Sequence, residues 1–175
     1  MTVELLPHDP AWALAAEVEG RVLRSAIGPG LLAVHHIGST SIPGIAAKPI
    51  LDLLGVARSF AELDDCRPRF EARGYDWMGE FSLPGRRYCR KDDPETGLRL
   101  VQLQCYEAGS AGIDRLLAFR DHLRRNRVIA EAYLQVKMRC RDLHPEDVHA
   151  YSSCKSDWIK AMEIEALITQ RLDLG

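Results

Sequence analysis

A chain of 175 residues with 46% hydrophobic content is long enough to bury one substantial core by itself, so one domain spanning residues 1–175 is expected. No apolar run reaches the 18 residues of a transmembrane helix, and Thr2-Val3-Glu4 does not begin the basic-then-apolar pattern of a secretion signal; a soluble cytoplasmic protein is expected. The formal charge of -2 and the lack of a recognised nucleic-acid motif argue against binding of long nucleic acid or of membranes, and leave the oligomeric state open. Basic residues gather locally, at Arg86, Arg87, Arg90 and Lys91, at Arg99, and at Arg120, Arg124, Arg125 and Arg127, which suits a local anion site.

Asp9-Pro10 makes an N-cap and first-turn pair, and Leu14, Val18 and Val22 recur four residues apart, so the chain opens with a helix. Gly28-Pro29-Gly30 stops it, and Leu31 to Ile37 reads as a strand with Leu32 and Val34 as its aliphatic positions. Gly38-Ser39-Thr40-Ser41 breaks that strand and Pro43-Gly44 turns the chain again. Ile50 to Val56 then reads as a central strand in which Asp52 is the conspicuous charge among aliphatic neighbours. Ser59 caps a helix that Pro68 shortens or divides. Tyr75 to Met78 and Arg87 to Arg90 read as edge strands, separated by a turn at Pro84-Gly85. Leu98 to Tyr106 is the clearest alternating strand, with Arg99, Val101, Leu103 and Cys105 on one parity and Leu98, Leu100, Gln102 and Gln104 on the other. After Gly109-Ser110 the period turns helical. Ile113, Leu116, Leu117, Leu123, Val128 and Leu134 supply a core for one bent helix or two, His144-Pro145 interrupts, and Ser156 caps a last helix bearing Trp158, Met162 and Ala166. Sheet first and helices later give an α+β (α/β-like) class with a helical C-terminal section.

The five cysteines, Cys66, Cys89, Cys105, Cys140 and Cys154, are odd in number and show no metal-ligand spacing, which argues against a disulfide framework or a structural zinc. Cys105 reads as a small buried hydrophobe within VQLQCY.

The sharpest feature is the glycine-serine turn followed by Asp52. Gly38 permits a close turn, Ser39 and Ser41 supply hydroxyl donors, backbone amides of such a turn surround a phosphate, and Asp52 offers an oxygen to Mg2+ held jointly with substrate phosphates. A plain capping turn beside a structural, paired acid has the same residues. His35 and His36 fall on opposite faces of their strand and read as structural, and Lys48 serves equally as an anion contact or a solvated lysine.

With HIGSTSIPGIAAKP at His36 to Pro49, LDLL at Leu51 to Leu54, Gly79-Glu80, PGRRY at Pro84 to Tyr88, Gly109-Ser110, LLAFRDHLR at Leu116 to Arg124, YSSCKSDWI at Tyr151 to Ile159 and an early DPAW at Asp9 to Trp12, the chain resembles the GrpB-like family (UPF0157) of the nucleotidyltransferase superfamily. The resemblance implies a nucleotidyltransferase-fold mixed sheet flanked by helices, with Gly38 and Ser39 at a phosphate-facing turn and Asp52 as the first metal-binding carboxylate. It also implies a substrate-facing loop in which Arg86 and Arg87 clamp an anion and Glu80 stands as a further acid for the metal. Active superfamily members carry a second acid two residues on, where this chain has Leu54, and GrpB-like proteins often present histidines where it has Gln102 and Gln104. A glutamine amide binds base, sugar or phosphate but does not act as a general base near neutral pH. Lys155, before the last helix, is expected to reach an anionic ligand.

Transfer of a nucleotidyl group from an NTP to an unidentified small acceptor, with Mg2+ at Asp52, is the leading expectation from this resemblance. A non-catalytic nucleotide- or anion-binding protein on the same fold is the alternative, and an interaction module without nucleotide affinity is a third.

Overall fold

The computed structural model describes residues 2–173, an α+β fold in which helices cover both faces of a mixed five-stranded sheet. Helix α1 (Ala11–Ile27) precedes strand β1 (Leu31–Ile37) and strand β2 (Leu51–Ala57). Helices α2 (Phe60–Asp65) and α3 (Arg67–Glu71) lead to β3 (Tyr75–Trp77), β4 (Arg87–Asp92) and β5 (Arg99–Glu107). Helices α4 (Ala111–Arg125), α5 (Arg127–Leu143), α6 (Val148–Cys154) and α7 (Ser156–Asp173) complete the helical C-terminal section. The strand order is β1-β2-β5-β4-β3, with β2 and β5 parallel and every other pair antiparallel.

Asp9 Oδ1 accepts the Ala11 amide at 2.9 Å, which starts α1 where its sequence indicated. The buried stripe is another matter. Leu14, Val18 and Val22 are exposed, and Ala16, Gly20, Leu23 and Ile27 face the sheet. The reason is close approach: a Cβ on Gly20 would meet the Val34 side chain at 3.4 Å, so the face bearing Gly20 and Ala16, flanked by Leu23 and Ile27, lies on the sheet and the face bearing Leu14, Val18 and Val22 lies in solvent. Likewise Leu31 rather than Leu32 is the buried leucine of β1, and Val128, on the first turn of α5, is 79% exposed.

On the α1–α3 side, Leu53, Ala57, Val101, Leu103 and Cys105 pack with Leu23, Ile27, Leu63 and Phe70. Ser59 Oγ accepts the Glu62 amide to cap α2, and Cys66 with Pro68 separates it from α3. On the opposite side Ile37, Leu54 and Tyr106 pack against Ile113, Leu116 and Leu117 of α4. Strand β4 is paired on both sides, by β5 and by β3, and is not an edge. Its charges suggested solvent, but each is neutralised in place: Arg87 on Asp64, Arg90 on Asp76 and Lys91 on Glu19.

Asn126 divides the long helical stretch into α4 and α5, its Oδ1 accepting the Val128 and Ile129 amides. The loop residues Ile42 and Ile45 bury themselves among Leu123, Ala130 and Tyr133, with Tyr133 stacked on Trp158 at 5.1 Å, so the segment between β1 and β2 is clamped by the helical section. Cys140 and Cys154 form a disulfide, against the expectation from cysteine number and spacing. The α5–α6 connection folds α6 back on α5 and brings the two Cα atoms to 5.8 Å, a long-range proximity that sequence spacing does not encode.

Gly55 lies in the central strand with Cys105 Sγ 2.5 Å from the position a Cβ would take, and Leu31 at 3.1 Å. Gly55→Ala is expected to lower unfolding free energy by about 1–3 kcal/mol through overpacking, measured by urea denaturation.

Candidate functional site

The turn after β1 is a short 3-10 helix, Ser39–Ser41, entered through Gly38 at φ +70°. A Cβ at position 38 would stand 2.4 Å from Asp52 Oδ2, so the backbone of Gly38 lies directly against the carboxylate of β2. Five contacts fix the turn in that place. Ser41 Oγ donates to the Gly38 carbonyl at 2.7 Å. Thr40 Oγ1 donates to the Ile50 carbonyl at 3.3 Å and meets His36 Nε2 at 2.9 Å. Burial first, then the charges of Arg124 and Arg120, lower the His36 pKa to about 4, so the ring is neutral, and with the Thr40 hydroxyl proton given to Ile50 the fitting tautomer is the one that donates from Nε2 to Thr40. Arg124 Nε donates to the Ser41 carbonyl at 2.8 Å, and Ser39 Oγ donates to the Tyr133 hydroxyl at 3.4 Å, which joins the turn to α4 and α5.

Asp52 is at the floor of a cleft of about 880 Å³ between the sheet and the helices α5 and α6. Lys48, Lys137 and Lys155 line it with Asp52, together with Ser39, Gln102, Arg90, Arg99 and, from the start of α6, Glu146 and Asp147. Burial raises the Asp52 pKa to about 6 against the opposing pull of Lys155, Lys48 and Lys137. Burial lowers Lys137 to about 7 and Lys155 to about 8, with repulsion from the neighbouring lysines adding to the fall and Asp52 opposing it. Lys48 moves the same way, from burial. Lys137 is 1% exposed and donates to the Ala46 carbonyl. The ammonium groups of Lys48 and Lys155 lie 5.6 and 4.4 Å from the centre of one ring, Tyr151. Among the described residues, Asp52 is the carboxylate whose charge opposes all three lysines.

Of the residues singled out from sequence, the structure brings Ser39, Lys48, Asp52, Gln102 and Lys155 into the cleft, with Gly38 behind Asp52. Ser41 is turned into its own loop. Gln104 lies farther along β5, opposite Leu54 and Tyr88 and outside the cleft lining. Glu80 Oε1 accepts the Gly85 amide at 3.0 Å and so closes its own loop. Arg86 donates to the Glu80 and Phe81 carbonyls and covers Tyr88, and Arg87 makes a two-pronged pair with Asp64 at 2.6 and 2.8 Å. His35 and His36 stay out of the cleft lining. Arg120 pairs with Asp121 and the His36 carbonyl.

Three contributors were missed. Lys137 sits on the same helical stripe as Ala130, Tyr133 and Cys140; a lysine at a buried heptad position was the available signal. Arg99 was assigned to the Val101 parity, but the register shift between Lys91 and Asp92 pairs Arg99 with Asp92 and brings it to the cleft. Phe81, at the mouth, has φ +45°, which no sequence pattern announced.

The donor set does not fit a two-metal centre. Leu54, fully buried against Ile37 and Ile113, occupies the position of the second acid, and among the described residues no three His, Cys, Asp or Glu side chains group as metal ligands. Asp52 instead faces ammonium groups.

Gly38→Ala and Gly44→Ala form a matched pair, since both have positive φ but an added Cβ at Gly44 meets no atom within 4 Å. Gly44→Ala should cost about 1–2 kcal/mol of left-handed strain, and Gly38→Ala more than that because Asp52 must also move; equal losses by thermal unfolding would remove the proposed contact. The lysines set a pH dependence. Between pH 7 and 10 the unfolded chain keeps protons that folded Lys137 and Lys155 have released, so stability rises with pH, by up to about 1.4 kcal/mol per pH unit for each proton. Asp52 acts in a separate window, below about pH 6. Lys137→Met should flatten the rise in melting temperature above pH 7.

The sequence pattern of the family described as GrpB protein matches residues 2–165. The chain is 38% identical over 164 residues to UPF0157 protein YqkA of Bacillus subtilis, covering 94% of this chain and 47% of that protein, so it spans about half of that relative's length. It is 29% identical over 183 aligned positions to a dephospho-CoA kinase of Mycolicibacterium paratuberculosis, covering 90% of this chain and 44% of that one. The crystal structure of conserved protein GrpB from Enterococcus faecalis superposes with a TM-score of 0.88 at 38% identity, over 95% of this chain and 99% of that one. Cid1, solved in complex with its short product ApU, superposes with a TM-score of 0.53 at 12% identity over 85% of this chain and 48% of that one, a likeness of fold alone. No helix among the described residues is long and apolar enough to cross a membrane. With the motif blocks, the family pattern and the superposition in agreement, the chain belongs to the GrpB family.

Proposed function

We propose that the cleft binds a nucleotide or a closely similar phosphate-bearing small molecule, on a fold of the nucleotidyltransferase type. The observation that carries this reading is the charge at the centre of the cleft: three lysines converge on Asp52, among the described residues the one acid whose charge acts on all of them, Glu146 and Asp147 line the cleft from the α6 side, and the two arginines already have their own acids, Asp76 and Asp92. Buried cations without a matching carboxylate are stabilised by an anionic ligand. Phe81 supports a nucleotide over a bare anion. Half exposed at the mouth, it is held in a left-handed conformation by Arg86, which donates to its carbonyl at 2.9 Å, and it lies parallel to Tyr88 at 5.1 Å. Such a ring offers a stacking surface to a planar base, and strain of about 1–3 kcal/mol in a backbone is retained where function uses it. Likeness to part of a dephospho-CoA kinase agrees with a phosphate-bearing ligand.

Nucleotidyl transfer is the second reading, favoured by the position of Asp52 against the Gly38-Ser39 turn and by the fold shared with Cid1. In it, an oxygen of a small acceptor attacks the α-phosphorus of an NTP and pyrophosphate leaves. Asp52, the carboxylate against the turn, takes the acceptor's proton, the ammonium groups offset the developing charge, and Gln102 orients the acceptor.

The test is calorimetric titration of the protein with ATP, GTP, CTP, UTP and tripolyphosphate. Binding is expected, weakened about tenfold or more by Lys155→Met for all ligands and by a similar factor in Phe81→Ala for the nucleotides alone. A folded protein that takes up none of these ligands would refute the nucleotide reading. Release of pyrophosphate with an acceptor present, lost in Asp52→Asn, would decide for transfer.

A further inference from the structure

Resting on the phosphate-binding reading above, we infer that this cleft takes its phosphate free of divalent cation, with the ammonium groups of Lys48, Lys137 and Lys155 standing where a metal-dependent site places metal ions. The ligand class is a small molecule with an ionised terminal phosphate, as a monoester or at the end of a polyphosphate.

The charge count comes first. Among the described residues Asp52 is the one acid whose charge acts on all three ammonium groups, Glu146 and Asp147 lining the same cleft from the start of α6; within this inner group of four, when all are ionised, the surplus is two positive charges, which a terminal phosphate dianion neutralises. The neighbouring Arg90 and Arg99 do not alter this count, being paired with Asp76 and Asp92. A phosphate arriving already complexed to Mg2+ brings two fewer negative charges and leaves the lysines unneutralised.

The coordination chemistry points the same way. A metal bridging protein and phosphate uses carboxylate oxygens, and here one of the two Asp52 oxygens, Oδ2, is backed by the Gly38 backbone. Leu54 extends the same strand face into an apolar cluster with Ile37, Tyr106 and Ile113, so no acid joins Asp52 from the next position. The carboxylate is left with one task that the geometry supports, holding ammonium groups in place between ligands.

The cage is also built rather than incidental. Lys137 has its stem in the helical core and its Nζ on the Ala46 carbonyl, which leaves two N–H donors for a ligand. Lys48 and Lys155 approach the same Tyr151 ring from different elements, one before β2 and one between α6 and α7. The disulfide joins α5 to α6 three residues after Lys137 and one residue before Lys155, and so holds the helices that carry two of the three lysines together. Ammonium groups fixed in advance bind an anion with little ordering left to do.

The experiment is titration of the intact protein with tripolyphosphate and with ATP, in EDTA and again in excess Mg2+, with sulfate at matched ionic strength as the anion control. Binding in EDTA is expected, several-fold weaker in excess Mg2+, and reduced about 10- to 100-fold in Lys137→Met and in Lys155→Met while Arg127→Ala, on the exposed start of α5, is unchanged. Circular dichroism confirms that each variant is folded, and Lys48→Met serves in place of Lys137→Met should the latter unfold. Binding that appears only with Mg2+ and disappears in Asp52→Asn would overturn the metal-free site while leaving the phosphate-binding reading intact. Absence of binding in both media would overturn both, and sulfate binding as tightly as tripolyphosphate would overturn the assignment to phosphate.

Discussion

The contact between the Gly38 backbone and the Asp52 carboxylate is the constraint on which the site depends. It requires a residue without a side chain at the end of β1, a left-handed backbone there, and a charged residue two positions into a strand that is hydrogen-bonded on both sides. Everything around it serves that placement. Ser41 and Thr40 close the turn on itself and on Ile50, His36 supports Thr40 as a neutral donor, and Arg124 and Tyr133 reach from the helical section to hold the turn from behind. Sheet and helices are thus coupled at the place where the Asp52 carboxylate is presented to the cleft.

That coupling explains why the helical section exists in this form. A sheet alone leaves Asp52 on an open face, where water solvates the carboxylate and no ligand gains from its position. With α5 and α6 closing over the ends of β2 and β5, the carboxylate and the three lysines are partly withdrawn from water, and their mutual interactions strengthen as the surrounding polarity falls. The same withdrawal destabilises each charge singly, and the lowered lysine pKa values record it. Stability and binding are therefore opposed in this region, as is common where a site is assembled from buried ionisable groups.

Much of the architecture was legible because it follows from local chemistry. The helix caps at Asp9 and Ser59, the break at Gly28-Pro29-Gly30, the limits of β1 and the core parity of Leu103 and Cys105 are all encoded within a few residues of where they act. What failed depended on partners distant in sequence. The four-residue recurrence of Leu14, Val18 and Val22 marks α1 as a helix but not its buried face, because the small residue opposite Val34 is set by packing distance. Strand β4 looked like an edge because the acids that neutralise it come from α1, α2 and β3. In the site, Gly38, Ser39, Asp52 and Lys155 could be found from spacing and resemblance, whereas Arg99 needed knowledge of a register shift and Lys137 needed its helix to be docked.

The lysines come from three separate elements, and this bears on what kind of site it is. A general surface attraction for anions needs only solvated cations on mobile side chains, and such cations interact weakly because water and salt screen them. Here the cations are held by a backbone carbonyl, by an aromatic ring shared between two of them, and by a disulfide linking the helices that carry two of them. Holding like charges together in this way raises the energy of the empty cleft, and Asp52 relieves only part of the repulsion. On the proposed binding reading, a ligand completes the electrostatics of this rigidly supported arrangement. Such a ligand is anionic, small enough for the cleft, and able to meet several ammonium groups at once, and a phosphate with its oxygens directed to three sides satisfies all of these conditions.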